Sequence, residues 1–324
     1  MLAYIVRRAL YAIPVLIGVN LITFMLFFVV NTPDDIARMQ LGAKRVTPEA
    51  IQAWKANHGY DLPYVYNTDK TGLDAVTNTL FFQKSVKVMA FEFGQSDAGR
   101  SISSDILERM GPSLALAVPT LIVGMLVNIT FGLLLVFFRS TAIDWGGVVL
   151  CVVLMSISPL FYIIAGQFVA GKLMNLVPIS GFNAGWDMAK FLVLPVIIGI
   201  VGGIGAGSRW YRTIFVEEFG KDYVRTARAK GLSDLRILFV HVLKNGMIPI
   251  LTGVVVILPL LFMGSLIMES FFGIPGLGSY TIEAINQQDF AIVRAMVFLG
   301  SVLYIVGLLL TDISYTLFDP RIRL

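Results

Sequence analysis

Side chains that carry proton transfer or metal chemistry are scarce in this chain: it has two histidines, His58 and His241, and one cysteine, Cys151. Neither histidine opens a His-Glu-x-x-His run, and the two fall in different flanking compartments. The sequence therefore offers no zinc site and no serine–histidine pair inside a membrane. No Gly-x-x-x-x-Gly-Lys-Ser/Thr phosphate loop occurs, which excludes ATP hydrolysis by that chemistry. With a single cysteine no intrachain disulfide can form. The residues that stand out do docking chemistry instead. Tyr223-Val-Arg-Thr-Ala-Arg-Ala-Lys-Gly231 is a short basic run with small residues inside it, and it reads as a helix made to be held by a partner.

The elements around that run follow from local rules. Gly220 to Gly231 contains strong helix formers closed by a glycine, the residue that best supplies a left-handed C-cap. Ser233-Asp234 is placed to N-cap a second helix, Leu235 to Asn245, with Gly246 and Pro249 marking the passage into the next apolar span. A knob of this size buries too little to fold alone, because an isolated helix under ~12 residues is marginal in water. It must pack on the spans or on another protein. An interfacial helix lying on lipid would need large apolar anchors along one face. Tyr223 and Val224 are the only large ones, which favours a protein partner.

The rest of the chain is built for a bilayer. Its 324 residues are 56% hydrophobic and 14% charged, with mean hydropathy +0.79, more apolar than an ordinary soluble domain. A helix needs ~20 apolar residues to cross the hydrocarbon core. Six stretches qualify: Ala9–Val30, Ser113–Phe138, Gly146–Ala170, Phe191–Ala206, Ile248–Met268 and Ile292–Thr311. The expected class is an all-α integral membrane protein with six transmembrane helices in a single domain, 1–324. Arg7, Arg8, Arg139, the cluster from Arg209 to Lys244, Arg321 and Arg323 all fall on one side if both termini are cytoplasmic, as the positive-inside rule requires. That orientation makes 208–247 a cytoplasmic loop and 31–112 an extracytoplasmic insertion between helices 1 and 2. Inside the insertion Thr47 and Pro48 start a helix that ends at Asn57 or Gly59. The net charge of +4 is what the cytoplasmic arginines supply, and no nucleic-acid partner is inferred from it.

Polar residues inside spans mark candidate pathways, since an unpaired polar group in hydrocarbon is costly. Asn128, Ser156, Ser158, Thr252 and Ser265 are the candidates, with Glu269 near the outer end of span five. A serine or threonine can equally satisfy itself on its own helix backbone. A proton-coupled carrier needs ionisable groups near the midplane, and no such ladder is present, which argues that any transport by this chain draws its energy from outside the membrane. Ser270-Phe-Phe-Gly-Ile-Pro-Gly-Leu-Gly-Ser279 is turn chemistry, with Pro275-Gly276 for a tight reversal and Gly278 beyond it. Gly199, Gly203 and Gly207 recur every four residues and put a small stripe on one helix face.

A resemblance covers nearly the whole chain. It is carried by Tyr4-Ile-Val-Arg-Arg-Ala-Leu, Gly59-Tyr-Asp-Leu-Pro63, Phe93-Gly-Gln-Ser96 and Ile106-Leu-Glu-Arg-Met-Gly-Pro-Ser-Leu114. Tyr223 to Gly231, His241-Val-Leu-Lys-Asn245, Gly276-Leu-Gly278 and Asp312 to Ile322 complete it. On these motifs the sequence resembles the membrane subunits of binding-protein-dependent ABC importers, in the dipeptide/oligopeptide/nickel permease family, and looks closest to the peptide permeases associated with microcin C uptake. The resemblance implies the type I ABC importer permease fold and a bacterial inner-membrane location. It implies as partners a second homologous permease subunit, two cytoplasmic ABC ATPase subunits, an extracytoplasmic solute-binding protein and membrane lipid. It implies no cofactor on this chain, with ATP and magnesium used by the ATPase subunits. The run from Tyr223 then corresponds to the coupling helix, and Tyr223, Arg225, Thr226, Ala227, Lys230 and Gly231 to its docking residues. The generic importer signature has Glu-Ala-Ala where this chain has Arg-Thr-Ala. The resemblance implies that the Ser270–Ser279 segment, with Gly276 and Gly278, lies at the outer gate near the binding protein, and leaves Ser265 and Glu269 as candidates for the translocation path or that gate. Residues 67–79 depart from the family pattern. Di- and oligopeptides are the implied cargo; the same architecture importing nickel chelates or sugars, and a stand-alone carrier or channel, are the alternatives.

Overall fold

A computed structural model describes residues 2–42 and 46–318. Arg321, Arg323 and the end of the Asp312–Ile322 motif lie outside the described residues. Among those described the protein is helical, with one isolated antiparallel bridge between Gln95 and Ser101. In chain order the helices are α1 (Leu2–Phe24), α2 (Pro33–Leu41), α3 (Pro48–His58), α4 (Asp74–Thr77), α5 (Lys87–Met89), α6 (Ile102–Phe137), α7 (Ala142–Ser156) and α8 (Pro159–Gly166). They continue with α9 (Met188–Phe219), α10 (Asp222–Ala229), α11 (Asp234–Arg236), α12 (Leu243–Ile257), α13 (Leu266–Phe272), α14 (Leu277–Gln287) and α15 (Phe290–Phe318).

Five continuous helical stretches are long and apolar enough to cross a membrane: Val6–Val30, Ile102–Phe137, Met188–Phe219, Asp234–Met263 and Phe290–Ser314. The expected third span is bent. Ala142–Ser156 and Pro159–Leu173 meet at 88°, and counting that pair as one span gives six. The break has a sequence cause. A residue before proline is pushed out of the helical region, and Ile157 and Ser158 are both extended, with ψ 129° and 139°, before Pro159 starts α8. Pro112 and Pro119, by contrast, lie inside α6, so that helix begins well ahead of the expected Ser113.

The chain divides into two compact units, Met1–Arg109 with Tyr280–Leu309 and Met110–Ser279 with Leu310–Arg323. The first is cored by Phe24, Phe28, Ile36, Tyr60 and Leu80, with Trp54, Phe81 and Phe290 packed against them. Its α3 starts and stops where the sequence places it: the Thr47 hydroxyl accepts from the Ala50 N–H, Pro48 is the first helical residue, and Gly59 is left-handed. Residues 67–79 are ordered by buried Asn67, whose backbone N–H donates to Ala75 O and whose side-chain amide donates to Asn78 O. The second unit has one core of Leu116, Ile163, Leu192, Ile198 and Phe272. Its other core joins Leu133 and Val136 of α6 to Phe215, Ile237, Leu238 and Val242 beside α10.

Candidate functional site

The cytoplasmic loop expected over 208–247 is mostly helix. No breaker occurs after Ser208 until Gly220, so α9 runs on to Phe219. On the far side the chain is helical from Asp234 through the positions of Gly246 and Pro249, so the second helix is the start of span five and not a separate element. The Ser233 backbone is in the cap conformation, but its side chain makes no cap bond. What remains between the two spans is α10, closed by Gly231 at φ +79°.

Two faces of α10 do different jobs. Val224 and Ala227 point inward and are buried against Phe215, Ile237, Leu238 and Val242. Full burial of a side chain such as Val224 stabilises by about 2 kcal/mol, so the knob is held by its own chain. Tyr223 is also turned inward: its hydroxyl donates to Glu218 Oε2 at 2.9 Å, and burial holds the phenol above its ordinary range. Glu218 accepts a second bond from Lys221 Nζ. Arg228 donates to Asp234 Oδ1 at 3.0 Å and lies over the Phe219 ring at 4.6 Å, tying both ends of the knob together. The outer face therefore consists of Arg225, Thr226, Ala229, Lys230 and Gly231, all exposed. Of the expected docking residues, Tyr223 and Ala227 support the helix from beneath and the other four stand on its open surface.

Behind the knob, α9 is fixed to its neighbours. The Arg212 guanidinium makes a two-pronged bond to Asp144 on α7, 2.8 Å in each arm, a geometry that fixes orientation as well as distance. Asn128 on α6 accepts from Ser208 Oγ at 2.9 Å and sits where a side chain on Gly207 would collide with it. Of the glycine stripe, Gly199 and Gly207 serve close contact with α6, while a Cβ on Gly203 would meet open space; outside the stripe, a Cβ on Gly205 would come 2.6 Å from the Cys151 carbonyl of α7. Asp144 and Gly205 carry no local motif, so sequence reading passed over them.

The second cluster is built on Glu269. This residue lies on the separate helix α13 and not at the end of span five, because Gly264 at φ +68° turns the chain out of its last helical turn. Its carboxylate is fully buried. Oε1 accepts from Ser113 Oγ at 2.8 Å and Ser265 N–H at 3.1 Å, and Oε2 accepts from Ser279 N–H at 3.0 Å. Ser113 Oγ in turn accepts from Leu277 N–H at 2.8 Å. A buried carboxylate is tolerable only with such donors. The glycines make room for it: a Cβ on Gly264 or Gly276 would strike the carboxylate, and one on Gly278 would come 2.6 Å from the Ser265 backbone. The Pro275 reversal is a three-residue turn, with Gly276 N–H donating to Ile274 O at 2.8 Å. Ser265, Glu269, Gly276 and Gly278 thus form one site, joined by Ser113 and Ser279, which the sequence reading did not include.

The remaining pathway candidates are not part of it. Ser156 and Thr252 bond the carbonyls of Val152 and Ile248, each four residues back on the same helix. Ser158 serves as the backbone cap of α8. Two apolar cavities of about 540 and 350 Å³ share Gly199, Ser265 and Met268 in their walls. Ser265 is the one pathway candidate that lines them.

Residues 113–324 match the family described as binding-protein-dependent transport system inner membrane component, and residues 1–117 match the N-terminal region described for such membrane components. The chain belongs to this family. It is 30% identical to the dipeptide transport system permease protein DppB of Bacillus subtilis, over 100% of this chain and 99% of that one. It is 28% identical to the oligopeptide transport system permease protein AppB of the same organism, over the whole of both chains. It is 29% identical to the dipeptide transport system permease protein DppB of Escherichia coli K12, over 100% of this chain and 99% of the relative. In this permease the exposed face of α10 and the Glu269 cluster are two places where small residues and polar groups lie together.

Proposed function

We propose that this chain is one half of the pore of an ATP-driven importer of di- and oligopeptides, and that α10 is its coupling helix. The observation that carries the reading is the division of labour on α10: Val224, Ala227 and Tyr223 are spent on its own chain, leaving Arg225, Thr226, Ala229, Lys230 and Gly231 open for a partner. The names of the similar permeases support peptides as cargo. The pore partner is a second homologous permease, and two cytoplasmic ABC ATPase subunits bind ATP and magnesium, which this chain does not. An extracytoplasmic solute-binding protein delivers the peptide, and the chain sits in the bacterial inner membrane with both termini cytoplasmic.

In this mechanism ATP draws the two ATPases together, their clefts carry the two α10 helices with them, and α9 and the Asp234–Met263 span transmit the motion. The Arg212–Asp144 pair and the packed glycines of α9 make α9 stiff enough to transmit it. The pore then opens outward to receive peptide. Gly231 provides the test. A Cβ there meets nothing within 4 Å, so Gly231→Trp starts its bulk into open space on the exposed face, beyond a left-handed strain of about 1–2 kcal/mol. Gly231→Ala carries that strain without the bulk. In proteoliposomes containing the assembled transporter, Gly231→Trp should insert normally, yet abolish peptide uptake and its dependence on ATP, while Gly231→Ala retains most uptake. Normal uptake by Gly231→Trp would remove α10 from the coupling role.

A further inference from the structure

The first unit contains a polar cavity unrelated to α10. It measures about 220 Å³ and lies between residues 83–95 and the start of α15, with Lys84, Lys87, Glu92, Gln95 and Arg294 among its walls. Three cations thus face one carboxylate, and among the described residues none of the three forms an ion pair. Arg294 is buried: Nε donates to Phe290 O at 3.1 Å and Nη1 to Lys84 O at 3.3 Å, with the Phe28 ring 4.6 Å from the guanidinium. Lys84 Nζ donates to His58 O at 2.8 Å and lies 4.8 Å from the centre of the Tyr60 ring. Lys87 makes no bond to a described residue through its side chain.

The nearby acids are occupied. Asp289 accepts from the N–H groups of Asp97 and Ile292, at 2.8 and 3.2 Å, and Asp97 accepts from Gln40 at 3.0 Å. Arg294 is buried with Asp97 and Asp289 as its acidic neighbours, while the half-buried Lys84 and Lys87 line the cavity without an ion pair of their own; partly desolvated cations favour a further anion in direct contact. A guanidinium fork beside two ammonium groups matches a carboxylate, which can take two bonds from the fork and keep lone pairs for the lysines. The cavity has room for about seven waters at ~30 Å³ each, enough for an acid group and the residue that bears it.

We propose that this cavity is a carboxylate-binding site, in which Lys84, Lys87 and Arg294 hold the acid end of a small ligand. That the ligand is the C-terminal residue of a peptide rests on the proposed function; the recognition of a carboxylate does not. Lys84 is pushed down to about 8, first by burial and then by Arg294. The other ionisable groups around it are Lys87 and Glu92 on its own segment, His58, Tyr60, Asp97, and Asp289 and Arg294 at the start of α15. A bound carboxylate favours the protonated lysine, so binding should weaken as pH rises through about 8.

The test is isothermal titration of the full chain in lipid nanodiscs at about pH 7, with Ala-Ala, Ala-Ala amide and propionate as probes. Saturable binding of Ala-Ala, absent for the amide and at least tenfold weaker in Lys87→Gln, is the expected result. Lys87 has no bond to lose, so this variant tests the site without testing the fold; Arg294→Lys, which keeps the charge and loses the fork, should also weaken binding. Propionate binding as well as Ala-Ala would identify any small acid as the ligand, whereas binding by Ala-Ala alone would identify the peptide end. No saturable binding, equal binding of the amide, or an undiminished Lys87→Gln would overturn the proposal. Failure of ATP-driven peptide uptake in the assembled transporter would count against the cargo and leave propionate binding standing.

Discussion

Glu269 shows how much one side chain can hold in place. Its carboxylate takes donors from Ser113, Ser265 and Ser279, and hydrogen bonds to a charged group are worth about 1.5–3 kcal/mol each in stability. In Glu269→Gln one acceptor oxygen becomes an amino group, which must face one of these donors. The protein should lose about 2–4 kcal/mol by that logic, visible as a lower midpoint of thermal unfolding in detergent. Ser113→Ala should cost less, since the charge and two of its backbone donors remain. Unchanged midpoints in both variants would mean that the cluster does not fix the turn. Four of the six residues of this site could be read from the sequence: Ser265, Glu269, Gly276 and Gly278 lie close together in the chain, and turn chemistry marks the glycines. Ser113 could not be read, because it is 156 positions from Glu269 and no local pattern links them. At α10 the basic run was legible, but which of its residues face inward was not. The burial of Ala227 and the bond from Tyr223 to Glu218 depend on where Phe215 and Leu238 lie.

Among the elements, capping signals held at α3 and α10 and failed at Ser233, whose side chain makes no cap bond. Thr47, Pro48 and Gly59 bound α3 as expected, and Gly231 closes α10, because each of these depends on neighbours in sequence alone. Apolar length found the spans but not their shape. Ser158-Pro159 contains the cause of the 88° break, yet apolar counting runs straight through it. It also stops too soon on α9, where Arg209 and Arg212 end the apolar stretch but not the helix. The helix continues through Arg212, whose charge Asp144 on α7 receives. Breaking a largely buried pair by removing one partner costs about 3–5 kcal/mol, so Arg212→Ala should unfold several degrees earlier than the parent. Arg212→Lys keeps the charge but not the two-pronged geometry and should fall between them. Equal unfolding temperatures for all three would show that α7 and α9 are held by packing alone.

For the whole molecule, the permease family and the helical membrane architecture follow from apolar pattern, motif and similarity together. The direction in which the chain is threaded and the identity of what grips α10 are the parts that function depends on. The only cysteine of this chain, Cys151, is fully buried, so a cysteine introduced on the open face of α10 would be the only accessible thiol that this subunit contributes. The most direct measurement is site-specific crosslinking from Arg225→Cys in the assembled transporter, with membrane-impermeant thiol reagents applied from each side in turn. The expected result is labelling from the cytoplasmic side alone and a crosslink to an ATPase subunit whose yield changes when ATP is added. Labelling from the extracytoplasmic side, or an assembled and active transporter in which the introduced thiol reaches lipid but no ATPase, would contradict it.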